Sequence, residues 1–129
     1  MPATRVVFYR QVDGAVAVFD WLKEVRKRDR RAFTKCRLRI RRLEECGHDL
    51  RRPEADYLRD GIWELRIRSG TVQFRILYFY HGGRVCVVAH GLTKRERVPD
   101  RDIDLALARK ALYERDPEVH HHEGPVPDD

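Results

Sequence analysis

The stretch "GIWELRIRSGTVQFRILYFYHGG", residues 61–83, alternates apolar side chains with charged or polar ones around glycine-containing dipeptides. A period of two marks strands with one face against a core. Ser69-Gly70 and Gly82-Gly83 are natural bends for two hairpins. Counting back from two-residue turns pairs Arg68 with Thr71, Arg66 with Gln73 and Glu64 with Arg75. The second bend pairs His81 with Arg84, Phe79 with Cys86, Leu77 with Val88 and Arg75 with His90. Opposed residues share a side of the sheet. One side then collects Trp63, Leu65, Ile67, Phe74, Ile76, Tyr78, Tyr80, Val85, Val87 and Ala89, and the helices must cover it. The other side is split. Leu77, Phe79, Cys86 and Val88 lie at one end; Glu64, Arg66, Arg68, Gln73, Arg75 and His90 lie at the other, with Lys94 extrapolated near Thr71 and Arg68. A one-residue slip would turn every one of these side chains over.

Outside this ribbon, "RVVFY" at residues 5–9 reads as a first strand. After Asp13-Gly14, the residues Ala15, Val18, Phe19, Leu22 and Val25 recur at helical steps. A second helix is expected from about Arg30 to Glu45, with Phe33, Cys36, Ile40 and Leu43 as its apolar stripe and Gly47 as its stop. Its other faces carry Arg30, Arg31, Lys35, Arg37, Arg39, Arg41 and Arg42, either solvated or against phosphates. Strands at about 57–68, 71–81 and 84–91 follow, and a last helix opens near Pro99 and runs to about Tyr113. The order is β-α-α-β-β-β-α: an α+β fold with a small, mostly antiparallel sheet and the helix pair packed on one face.

Composition adds a charge asymmetry. The chain carries 27 basic and 21 acidic residues. Five of the acids fall in residues 116–129, which hold no Lys or Arg, leaving +11 on residues 1–115. A body this basic suits nucleic acid, the ribosome or an acidic protein, and otherwise simply keeps the protein dissolved. Residues 1–115 are expected to form one domain, and residues 116–129 a mobile acidic tail. His120, His121 and His122 in that tail lack the further ligands that close a metal shell. Cys36, Cys46 and Cys86 show no metal spacing, and Cys36 and Cys86 read as small core residues of a reduced protein. No stretch approaches a membrane span and no signal-peptide pattern opens the chain, so the expected location is the cytoplasm.

Three arginines, a lysine, one carboxylate and one imidazole on one surface would be costly without an anion to hold. Like charges side by side oppose folding. The bland reading is a wet sheet face with ion pairs, such as Glu64 with Arg75.

At these residues the chain resembles a known family. Leu58-x-x-Gly61-Ile62-Trp63-Glu64-Leu65-Arg66, then Phe74-Arg75-Ile76-Leu77-Tyr78-Phe79, then His90-Gly91-Leu92-Thr93-Lys94-Arg95, and Pro99 before a terminal helix, are similar to the HigB branch of the RelE-like toxins. The likeness covers roughly residues 5–114. It implies the RelE-like fold and the toxin half of a type II toxin–antitoxin system: an endoribonuclease, or mRNA interferase, that cuts mRNA on the translating ribosome and so inhibits translation. It implies no metal and no cofactor. It also implies a cognate helix-turn-helix antitoxin, with operator DNA bound only through that antitoxin. Arg66, Arg75 and Lys94 fall on the family's basic active-site positions, and Arg68, His90 and Arg95 neighbour them. Leu92 stands where many relatives have Phe, and Val98 where Thr is frequent.

The chemistry so implied is attack of the RNA 2′-hydroxyl on the adjacent phosphate. Arg66 and Arg75 would meet the growing charge, while Arg68, Gln73, Arg95 and Lys94 hold the RNA. His90 is the natural proton acceptor; Glu64 is the other option, weakened as a base by Arg75. On this reading Arg75→Ala abolishes activity and spares the fold. The rival readings are a ParE-like toxin acting on DNA gyrase and a non-catalytic binding module.

Overall fold

The computed structural model describes residues 4–94 and 96–128. Strand β1 (Arg5–Tyr9) leads into helices α1 (Ala17–Arg28) and α2 (Arg30–Cys46), followed by a short 3-10 turn. Then come β2 (Ala55–Arg59), β3 (Ile62–Ser69), β4 (Val72–His81) and β5 (Val85–Lys94), helix α3 (Asp100–Arg115) and a two-residue strand β6 (His121–His122). The six strands form one sheet in the order β2-β3-β4-β5-β1-β6, antiparallel except for β1 beside β5. The fold is α+β, with three helices and a mostly antiparallel sheet.

Local chemistry explains the helices. Asp29 ends α1 and caps α2, its Oδ1 accepting from the Ala32 N–H at 3.1 Å. The expected stripe Phe33, Cys36, Ile40 and Leu43 is buried, and Gly47, at φ +53°, ends the helix. Cys86 is buried as well, and burial pushes the Cys36 thiol up to about 12, as suits an inert core residue. Helix α3 starts without a side-chain cap, because its N-cap residue is Pro99, which has no side-chain acceptor. No described helix is long and apolar enough to cross a membrane.

Three expectations for the ribbon need correction. The strand expected at 57–68 is a hairpin: Asp60 and Gly61 both have positive φ, and Arg59 pairs with Ile62. Asp-Gly suits such a two-residue turn, where both central residues must be left-handed. The next turn sits at Gly70-Thr71, because Ser69 pairs with Val72, so Arg66 faces Arg75 and Arg68 faces Gln73. This shift of two keeps every side chain on its expected face. The third turn takes three residues: His81 pairs with Val85, a slip of one. Cys86 and Val88 therefore join the core with Tyr78 and Ile76, while Val87 and Ala89 join Leu77 and Phe79. A bulge at Ala89 undoes the slip, and His90 ends opposite Leu77, Leu92 opposite Arg75, and Lys94 opposite Gln73.

The helices do not share a face. Helices α1 and α2 cover the side bearing Leu65, Phe74, Ile76 and Tyr78. Helix α3 covers Leu77, Phe79 and Val87 on the other, through Ile103, Ala106 and Tyr113. The second side has too large an apolar end to stay wet, and α3 seals it while leaving the arginine end uncovered. The segment after Arg115, expected to be mobile, also packs: β6 pairs with β1, and His120 is buried, stacked on Tyr9 with ring centroids 5.0 Å apart. Its aromatic and backbone contacts outweigh what its acidic composition suggested.

Gly91 shows how tightly α1 lies on β5, since a Cβ there would press into the Trp21 indole. Gly91→Ala is expected to lower stability by about 1–3 kcal/mol through overpacking. An unchanged urea midpoint would mean that Trp21 does not lie over Gly91.

Candidate active site

The uncovered end of the sheet is a cleft of about 590 Å³. Its floor carries Glu64 and Arg66 of β3 with Gln73 and Arg75 of β4. One wall comes from Arg52, Asp56 and Arg59 at β2, and the other from residues 96–100 and Ile103 at the start of α3. Arg66 is fixed by its backbone, whose N–H donates to Glu54 O at 2.8 Å and whose carbonyl accepts from the Arg39 guanidinium. Glu54 in turn takes a two-pronged bond from Arg42, 3.0 Å on each prong. The basic edge of α2 thus grips the strand that presents Arg66.

Arg75 and Glu64 are buried together. Arg75 Nη1 donates to Glu64 Oε1 at 3.1 Å, and Nη2 donates to the Gln73 side-chain oxygen and, at 3.5 Å, to Glu96 O. Only 6% of each charged side chain is exposed. Burial raises the Glu64 carboxyl above its ordinary range, opposed only in part by Arg75 and Arg66. The same burial lowers Arg75.

Asp56, directly opposite Glu64 across the β2–β3 hairpin, goes the other way, held low chiefly by its hydrogen bond from Arg52. Arg59 is occupied by Asp60, Asp100 and Asp104. Arg66 differs from these neighbours. Its Nη1 lies 3.9 Å from Glu64 Oε2 and 4.0 Å from Asp56 Oδ2, beyond hydrogen-bond reach, and its guanidinium has no hydrogen-bond partner among the described residues. Five donors remain available in a fork that fits phosphate.

The expected site residues are thus placed unequally. Glu64, Arg66, Gln73 and Arg75 line one cleft. Arg68 lies on the exposed rim, its Nε bonded to Gly70 O at 3.1 Å. His90 does not line the cleft; its Nε2 lies 2.7 Å from Asp102 Oδ1, joining β5 to the first turn of α3. Lys94 is placed by its backbone opposite Gln73, and Arg95 lies outside the described residues. The sequence reading missed Arg52, Asp56, Arg59 and Arg97. The Asp60-Gly61 dipeptide was the available signal for the first three, because a hairpin there brings Asp56 beside Glu64.

A search of curated proteins finds no match to this chain. A family model described as "Phage derived protein Gp49-like (DUF891)" matches residues 20–111, which run from α1 through most of α3 and include the cleft floor. The chain belongs to the Gp49-like family of phage-derived proteins.

Proposed function

We propose that this protein is the toxin of a type II toxin–antitoxin pair, of the HigB branch of the RelE-like toxins, and that it cuts mRNA on the ribosome without a metal. One observation carries the reading: Arg66 stands in a concave site opposite Arg75, its guanidinium without a hydrogen-bond partner among the described residues. Its partners on this reading are the ribosome with its mRNA and a helix-turn-helix antitoxin, which alone contacts operator DNA.

In the reaction the RNA 2′-oxygen attacks phosphorus, the bond to the 5′-oxygen breaks, and the products are a 2′,3′-cyclic phosphate and a 5′-hydroxyl. Charge on the non-bridging oxygens grows on the way, and Arg66 meets it. Arg75 supplies field from the floor and holds Glu64. Glu64 takes the 2′ proton, since it lines the cleft and burial makes it a better acceptor than a surface carboxylate, while the departing 5′-oxygen takes a proton from solvent water. His90 braces α3 through Asp102, and Arg68 holds the RNA backbone, together with Lys94 and Arg95 as the resemblance implies. Positioning by the ribosome contributes much of the rate.

Because the Glu64 carboxyl is raised, the rate should climb with pH through an ionisation above the ordinary carboxylate value of 4.5. Glu64→Gln keeps an acceptor for Arg75 and is expected to lower cleavage by about 100-fold or more and to abolish that climb. His90→Gln should leave the rate within about threefold, since a group outside the cleft takes no part in the proton transfer. The reverse pattern in single-turnover assays would make His90 the base. Relaxed DNA with intact mRNA in intoxicated cells would replace the ribonuclease with a gyrase poison.

A further inference from the structure

The stretch "KEVRKRDRRAFTKCR", residues 23–37, bends from α1 into α2. It carries eight basic residues and two acidic ones, a net +6 that equals the formal charge of the whole chain. Both acids are engaged: Glu24 pairs with Lys27 at 3.4 Å, and Asp29 caps α2 and accepts from the Ser69 hydroxyl. Arg28 and Arg31 are exposed and have no ion-pair partner among the described residues. Arg30 and Arg31 stand in the first turn of α2, which holds no acid and where the helix dipole opposes cations. The fold gains nothing from that placement. Beside this elbow opens an apolar pocket of about 380 Å³. It is lined by Trp21 and Val25 of α1, Val72 and Phe74 of β4 and Thr93 of β5, and the charged residues that reach it are Glu24, Arg28 and Asp29. Trp21, which also presses on Gly91, is only partly buried.

We infer that this pocket holds an unpaired base of single-stranded RNA, with the arginines of the elbow on the neighbouring phosphates. A base offers a flat apolar face to Trp21 and Phe74, and the anion on its own backbone answers the charge outside the pocket. A protein segment of apolar side chains would suit the lining but would leave Arg28 and Arg31 without a counter-ion, so RNA is favoured. Strand β4 joins the pocket to the cleft: Gln73 and Arg75 line the cleft, while Val72 and Phe74, which alternate with them, line the pocket. At the hairpin end of that strand stands Arg68, and Lys35 of α2 donates to its carbonyl at 3.2 Å. Positive charge therefore continues from the cleft over this rim to the elbow. The inference builds on the ribonuclease reading, placing the RNA strand that is cut in the cleft in the pocket as well, but its readout is binding, so either can fail alone.

The test uses the full-length chain carrying Trp63→Phe, so that Trp21 alone emits. The probe is a hexamer of 2′-O-methyl adenosine, whose blocked 2′-oxygens cannot attack phosphorus, compared with a hexamer of the same backbone without bases. The adenosine hexamer is expected to quench Trp21 saturably, and the base-free one to bind weaker by about tenfold or more and to leave the emission unchanged. Arg28→Glu, at an exposed position, should weaken the titration by about fivefold or more. Val72→Asp, which puts a carboxylate into the pocket, should abolish the quenching. Emission unmoved by the adenosine hexamer, or quenching indifferent to Arg28→Glu, would overturn the inference even if the protein cuts mRNA on ribosomes. Quenching with these dependences by a protein that cuts nothing would keep the pocket and remove the ribonuclease reading. Quenching by the peptide acetyl-ELLVLE-amide but not by RNA would overturn the inference and make the pocket a protein-docking site.

Discussion

Arg66→Ala is expected to cut ribosome-dependent mRNA cleavage by about 100- to 1,000-fold, the usual cost of removing one preorganised donor from developing charge. Its effect on stability should stay within about 1 kcal/mol, because the side chain's contacts with Asp56 and Glu64 are long and partly solvated. The backbone bonds to the Glu54 carbonyl and from the Arg39 guanidinium do not depend on the side chain of Arg66, so β3 keeps its place. Activity and folding separate cleanly at this residue. Arg66→Lys should recover little, since a point charge does not reproduce a two-pronged grip on phosphate. Growth inhibition and urea unfolding of the same variants read the two effects independently; full toxicity of Arg66→Ala would remove the site.

Arg75→Ala should behave differently, and here the structure reverses the expectation drawn from sequence. An exposed arginine could be deleted without harm to the fold, but Arg75 lies almost wholly buried in the cleft floor beside Glu64. Removing it leaves a buried carboxylate with its main partner gone, at a cost of about 3–5 kcal/mol. Loss of toxicity in this variant alone would then report unfolding as much as chemistry. Replacing both partners, Arg75→Met with Glu64→Leu, is expected to restore most of the stability and none of the activity, because a packed apolar pair needs no solvation. A stable Arg75→Ala protein in urea denaturation would show that the pair is open to water.

The legible parts of the fold are those fixed by local chemistry. The stripes of α1 and α2 follow from helical spacing, and the faces of β3 and β4 from alternation. Turn length was not legible, yet a misplaced turn that shifts pairing by two conserves faces, so Arg66, Arg68, Gln73 and Arg75 still share a side. The slip of one in β5 was damaging, exchanging Val87 with Cys86 and Val88 between cores. Only the bulge at Ala89 returned His90 to the side first assigned. Bulges leave little mark in a run such as "VCVVAHG", where both neighbouring faces are apolar. The walls of the cleft were hidden for a different reason. Arg52, Asp56 and Arg97 come from separate segments, and only tertiary packing of β2 and α3 brings them to Arg66. The segments outside the ribbon bring three acids, Asp56, Glu96 and Asp100, and three arginines, Arg52, Arg59 and Arg97, so they leave the net charge of the cleft floor unchanged.

The account stands most directly on what happens to one message on one ribosome. Purified ribosomes programmed with an end-labelled mRNA, incubated with the protein or with Arg66→Ala, should yield fragments bearing 5′-hydroxyl and 2′,3′-cyclic phosphate ends with the unaltered protein only, and only when ribosomes are present. Intact message in every reaction, or equal cutting by Arg66→Ala, would contradict it.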